Sequence, residues 1–310
     1  THRVATFRHP GASNLYHKDI ILISLIKITN RVIQTDLITH ISKSTDMKHL
    51  AGVAIFLATL SSLSACAISN ADKAMTTRNI TIADFNSIDA ATGIKVIYSQ
   101  GPLSAAKVTA PRYYFNYLDI SVDKGTLELR INQTFWQKFN SVNDDITVTV
   151  SSPTINDLEV SSGASIIVKG VVKINNPAEL EATSGASISI PGGFKSKGKV
   201  ELDTSSGSSI SINGLNASRI DAELSSGSSM QLTNATATHA DFELSSGASC
   251  TVSGKTSSLK VEATSGASFN GSKFRAHTAD IEAGSGGSVN YNAERAKEDT
   301  GNTGSATNHR

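Results

Sequence analysis

Cysteine is nearly absent from this 310-residue chain. Only Cys66 and Cys250 occur, too few for a disulfide scaffold or a four-ligand zinc site. Net charge is almost absent too: 28 basic and 27 acidic side chains leave a formal charge of +1. A nucleic-acid partner, which calls for a concentrated basic surface, is therefore not expected. Aromatic residues make up only 5%. One long apolar run occurs, so the chain does not read as a polytopic membrane protein. Catalytic signatures are also missing. After Cys66 the histidines are His239, His277 and His309, none in a metal-spaced pair or a triad motif. No Gly-x-Ser-x-Gly elbow, phosphate loop or dinucleotide fingerprint occurs. At 39% hydrophobic and 18% charged, the composition is that of a globular protein.

The apolar run gives the chain an address. Residues 1–46 contain no Met and read as a non-native or upstream extension. Met47, Lys48 and His49 form a basic start, Leu50 to Leu60 an apolar stretch, and Leu63-Ser64-Ala65-Cys66 a small-residue end. Residues 47–65 thus have the layout of a signal peptide, whose apolar run is short for a bilayer-spanning helix. Leu63-Ser64-Ala65-Cys66 resembles a bacterial lipobox, which implies lipidation of Cys66 and a membrane anchor. Several acyl chains, at roughly 0.8 kcal/mol per buried CH₂, hold firmly. Ala67 rather than Asp follows the Cys, which by the same resemblance implies an outer-membrane lipoprotein, facing the periplasm or the cell surface. Removing residues 1–65 takes away seven basic and three acidic residues and leaves a net charge of −3.

What is abundant is repetition. A Ser-Gly-(Ala/Ser/Gly)-Ser core recurs at Gly163, Gly185, Gly207, Gly227, Gly247, Gly266 and Gly286, spaced 19 to 22 residues apart. Five before each glycine stand Leu158, Leu180, Leu202, Ala222, Phe242, Val261 and Ile281. Three after it stand Ile166, Ile188, Ile210, Met230, Cys250, Phe269 and Val289. Five after it stand Val168, Ile190, Ile212, Leu232, Val252, Gly271 and Tyr291. Polar residues separate the last two columns, so the pattern has the period of half-buried strands. A repeat of about 20 residues with glycine turns predicts one coil of a parallel β-solenoid, in which each column becomes an internal stack. Cys250 shares a column with Ile, Met, Phe and Val and is expected as a small buried hydrophobe.

These patterns predict a linker at 66–79 and a solenoid domain at 80–291. Its residues 80–150 read as irregular coils or a cap, its residues 151–291 as seven regular repeats. In the first part a related turn sits at Gly93, and 126–131 and 146–150 alternate like strands. The aromatics Tyr113, Tyr114, Phe115, Tyr117, Phe135, Trp136 and Phe139 gather there. They are expected to cover the open end of the solenoid, with a sugar-stacking or partner patch as the other reading. The polar tail 292–310 is predicted to be disordered.

Charge repeats with the scaffold. Glu159, Glu181, Asp203, Glu223, Glu243, Glu262 and Glu282 stand four before each glycine. Asp157, Glu179, Glu201, Asp221, Asp241, Lys260 and Asp280 stand six before it. Alternation sends both columns outward on one face. Three readings are open: neutralisation by neighbouring Lys and Arg such as Lys199, Arg219 and Lys260; Ca²⁺ as a cofactor bridging neighbouring coils; or docking of a basic partner. No calcium-loop motif occurs. The serines flanking each glycine repeat with the turns and are read as structural.

The FNSIDAATGIKVIYSQG opening and the recurrent SSGAS turns resemble the "putative auto-transporter adhesin head GIN domain" family over about 85–290. That resemblance implies a right-handed parallel β-helix at the bacterial envelope, often lipid-anchored, with no established enzyme activity. The resulting expectation is a non-enzymatic envelope lipoprotein, a structural or adhesive module presenting a repetitive acidic and Ser-rich surface. Its partners would be the membrane, an envelope or extracellular polysaccharide or protein, or a second copy of itself. The alternatives are a β-helix polysaccharide lyase or hydrolase, and a Ca²⁺-binding surface module.

Overall fold

Alternating apolar and hydroxyl residues cut by left-handed turns produce a parallel β-solenoid. The computed structural model describes residues 73–132 and 146–310. The readings placed on residues 1–72, Cys66 included, and on Phe135, Trp136 and Phe139 lie outside the described residues. Ile68–Arg310 is one compact unit. It winds through about eight turns with coils of about 20 residues.

The columns become stacks through in-register parallel pairing. Leu158, Leu180, Leu202, Ala222, Phe242, Val261 and Ile281 lie directly over one another. So do Ile166, Ile188, Ile210, Met230, Cys250, Phe269 and Val289. All of them are buried. Each large apolar side chain so placed stabilises the fold by about 1.5–3 kcal/mol. The column five after the glycine is interrupted at Gly271, where a Cβ would meet the Phe269 ring at 2.5 Å. That ring uses the vacated space, and its centroid lies 5.0 Å from that of Phe242. Early coils carry short strands such as Asp157–Val160, Ser165–Lys169 and Val172–Ile174. Later ones run on as Ser229–Leu244, Ser249–Ala263 and Ser268–Ala283.

The turns are type I′, with two consecutive left-handed residues, such as Ser162 (φ 51°) and Gly163 (φ 72°). Ala164 N–H closes this turn on Ser161 O at 3.0 Å. A serine in this conformation is strained by about 1–2 kcal/mol, whereas glycine is not. Hydrogen bonds between coils offset that strain: Gly163 N–H donates to Ser184 O, Gly185 N–H to Ser206 O and Gly207 N–H to Ser226 O, each at 3.1 Å.

The N-terminal end departs from chain order. Strands β1 (Met75–Ile80), β2 (Ser87–Ala90), β3 (Lys95–Gln100), β4 (Ala106–Pro111), β5 (Leu118–Asp123), β6 (Thr126–Ile131) and β7 (Thr147–Ser152) build it. β2 lies between β6 and Asp157–Val160, and β3 between β7 and Ser165–Lys169, all parallel. The chain therefore lays down its second rung first, goes outward to the end rung, and returns. Antiparallel β5 covers β6, antiparallel β4 covers β7, and β1 covers β4. A 3₁₀ turn, Arg112–Asn116, joins β4 to β5 and carries the fully buried Tyr114. Tyr113, Phe115 and Tyr117 pack half-buried against the same core, and the Arg78 guanidinium sits 4.3 Å from the Phe115 ring centre.

Three boundaries differ from the sequence reading. Regular structure begins at Met75, inside the segment read as a linker. Much of 80–150 forms regular coils, disguised because chain order and stacking order differ. The tail read as disordered continues as strands Ser288–Thr300 and Ser305–Asn308, paired in parallel with the coil before. Backbone pairing requires no apolar side chains, so polar composition did not stop the coil. Glu298 stands where Ile281 stands one coil earlier, and the Tyr291 hydroxyl donates to its carboxylate. The last coil thus closes the core with a polar lid.

Candidate functional site

The acidic columns become two neighbouring ladders. Partners across a parallel pair lie about 4.8 Å apart. The inner ladder is longer than the seven-residue motif: Glu128, Asp89, Glu159, Glu181, Asp203, Glu223, Glu243, Glu262, Glu282 and Asp299 pair in unbroken succession, ten carboxylates in all. Glu128 and Asp89 were missed because their strands stack out of chain order. Leu127-Glu128 and Ile88-Asp89 repeat the Leu-Glu step of the later copies, a signal that could have found them. Asp299 lies in the tail.

The outer ladder is Asp157, Glu179, Glu201, Asp221, Asp241, Lys260, Asp280 and then Lys297. Cations neutralise much of it. Lys199 Nζ pairs with Glu201 and, at 2.8 Å, with Asp221. Arg219 bridges Asp221 at 2.5 Å and Asp241 at 3.3 Å. Lys260 lies 3.9 Å from both Asp241 and Glu243, and Lys297 3.6 Å from Asp280. Asp221 and Glu201 hold the Lys199 ammonium well above its usual range. On the inner ladder Arg130 pairs with Asp89. Glu181, Asp203, Glu223, Glu262 and Glu282 have no ion-pair partner among the described residues.

The inner ladder lines a groove of about 290 Å³, and of its five groove carboxylates only Glu243 has an ion-pair partner among the described residues. The groove is lined by the inner-ladder carboxylates from Glu181 through Asp203, Glu223 and Glu243 to Glu262, and by hydroxyls from the start of the turns, Thr183, Ser205, Ser225, Ser245 and Thr264. Burial, then the charges of Glu223, Glu179, Glu181 and Glu201, push the Asp203 carboxyl up to about 6. Burial and like charges also raise Glu159 and Glu179, Arg130 opposing at Glu159. Asp241 is raised by burial although Lys260 and Arg219 pull the other way. Both parts of the ladders keep an excess of negative charge: Lys199 and Arg219 serve the eight carboxylates from Asp157 to Glu223, and Lys260 and Lys297 the six from Asp241 to Asp299.

The turn glycines Gly163, Gly185, Gly207, Gly227, Gly247, Gly266 and Gly286 form an exposed ridge beside this groove. Cys250 is fully buried and its thiol is raised by burial, as inert as its column suggests. His277 bonds Glu294 and Arg295, each at 2.7 Å, and His309 bonds Asn290 at 3.1 Å. These histidines lie at the far coil, away from the groove. Among the described residues no group of three or more His, Cys, Asp or Glu could hold a metal ion.

The class defined by this geometry is a parallel β-solenoid whose distinctive chemistry is a repeated surface. The chain belongs to the family described as "Putative auto-transporter adhesin, head GIN domain", which matches it twice in succession, at 84–194 and 195–298. Solved structures share the fold. A "putative lipid binding protein" from Parabacteroides distasonis is 18% identical, covering 76% of this chain and 97% of its own, with a TM-score of 0.64. A "putative adhesin" from Parabacteroides merdae is 16% identical, covering 76% and 96%, with a TM-score of 0.65. Another from Bacteroides fragilis is 18% identical, covering 77% and 98%, with a TM-score of 0.55. At such identities the likeness establishes the fold. No curated protein matches the chain.

Proposed function

We propose that this chain is a non-enzymatic, lipid-anchored adhesive module of the bacterial envelope, held through Cys66 and binding cationic partners along its inner carboxylate ladder. The observation that carries the reading is the ten-carboxylate succession, in which four of the five groove carboxylates have no ion-pair partner among the described residues. Neighbouring charges about 4.8 Å apart repel by roughly 0.9 kcal/mol per pair even in water. A string of ammonium or guanidinium groups laid along the groove would relieve that repulsion and bond the facing hydroxyls. Contacts that are individually weak would multiply along the repeat. Membership in an adhesin-like family supports a role at the envelope or surface. The leader pattern before Cys66, with Ala67 after it, supports an outer-membrane anchor.

The test is calorimetric titration of an octalysine peptide into residues 68–310. Saturable binding that weakens with NaCl is expected, and Glu181→Gln, Asp203→Asn and Glu223→Gln together should lower affinity at least tenfold. Equal binding by the neutralised ladder would refute the site. A Ca²⁺ titration of the same protein separates metal bridging from peptide docking. Lipidation is tested independently: wild type should incorporate labelled palmitate and partition with membranes, and Cys66→Ser should do neither.

A further inference from the structure

The carboxylates of the inner ladder differ in company. Around Asp203 stand Glu201 and Lys199 on its own strand, Glu179 and Glu181 on the strand before, and Arg219, Asp221 and Glu223 on the strand after. Both cations are already engaged by the outer ladder, Lys199 with Glu201 and Asp221, Arg219 with Asp221 and Asp241. Around Glu159 stand Asp157, Asp89, Glu128, Glu179 and Glu181, with Arg130 committed to Asp89. Beyond Glu223 the next coils add His239, Asp241, Glu243, Lys260 and Glu262. From Glu159 to Glu223, then, carboxylates stack in register, with Glu181 and Asp203 half-buried between the exposed Glu159 and Glu223, and no uncommitted cation lies among the described residues.

We propose that this stretch is an acid-responsive element centred on Asp203: in mild acid a proton enters between neighbouring rungs, lowers the charge of the groove wall and tightens the solenoid. A proton shared by two stacked carboxyls converts repulsion into a hydrogen bond and needs no change of fold. Burial and the crowd of negative charges hold Asp203 at about 6, where the ordinary value is 3.8. At this carboxyl the folded chain therefore binds more protons than the unfolded chain between these values, a contribution that raises stability as pH falls through that window. If the groove docks a cationic partner as proposed above, the same protons would release it. That corollary rests on the adhesive reading; the proton uptake does not.

The experiment uses residues 68–310 without any partner. Potentiometric titration from pH 7.5 to 4.5, compared with the same chain in guanidinium chloride, should show excess uptake by the folded form above pH 5. The thermal midpoint at pH 5 should exceed that at pH 7.5 by several degrees in 150 mM NaCl. Asp203→Asn with Glu223→Gln should raise the midpoint at pH 7.5 and remove most of the pH dependence. Uptake equal to that of the unfolded chain, a midpoint that is flat or falls in mild acid, or a variant with an unchanged pH slope would overturn the proposal. Should the variant fail to fold, the proton count on the wild type still decides. Octalysine binding followed over the same pH range tests the corollary separately.

Discussion

At Gly207 a Cβ would project into open space, yet the backbone is left-handed at φ +71°. Steric room is therefore not the constraint; the backbone conformation is. Gly207→Ala is expected to cost about 1–2 kcal/mol in urea unfolding, with no change in the pairing of neighbouring coils. Cys250 poses the opposite question, since its environment is entirely apolar and closed. Cys250→Val should cost less than about 1.5 kcal/mol, because volume and polarity are nearly kept. Cys250→Ser should cost more, about 1–3 kcal/mol, by burying a hydroxyl without a partner. Parallel urea melts of the two variants check this. Equal losses would show that size rather than polarity governs the column.

Among the elements, the two ends of the solenoid solve one problem differently. A parallel stack leaves unpaired backbone and an open core at each end. At the N-terminal end, antiparallel β1, β4 and β5 cover the strand edges and Tyr114 enters the core. Tyr114→Ala should cost about 3–5 kcal/mol, as large aromatic truncations in cores do. Its gel-filtration profile should broaden as the end opens. At the C-terminal end a polar coil serves instead, with Glu298 accepting from Tyr291 and Ser305–Asn308 paired to Ser288–Tyr291. Removing residues 301–310 strips that strand and uncovers Val289 and Tyr291. Concentration-dependent association by light scattering is the expected result, and a clean monomer would show that the last strand is dispensable.

On the scale of the whole molecule, each coil touches only its neighbours, so stability is close to a sum of coil and interface contributions. A core truncation should then be felt locally. Leu202→Ala is expected to lose about 2–5 kcal/mol, and its amide exchange should quicken first in residues 178–224 and last at the ends. Uniform acceleration would indicate a single all-or-none unit. The excess of negative charge belongs to this scale as well, for it arises from stacking rather than from any one coil. Each coil contributes one or two carboxylates, and only their succession creates a groove wall with more negative charge than its cations can offset.

Much of this was determined by the sequence alone. The 19- to 22-residue spacing of the glycines, the apolar columns and the acidic columns specify coil length, the inward face and the charged face, because period-2 alternation leaves a strand little choice of side. Three things were decided only in the tertiary structure. One is the order of stacking, since β6 and β7 lie beyond β2 and β3, and local pattern holds no record of which strand is placed outermost. A second is the extent of the ladder, as Glu128, Asp89 and Asp299 join it through pairing between distant segments. The third is the division between neutralised and unneutralised carboxylates. Lys199 and Arg219 are read in the sequence as neighbours of both columns, but the geometry of the coil commits them to the outer one.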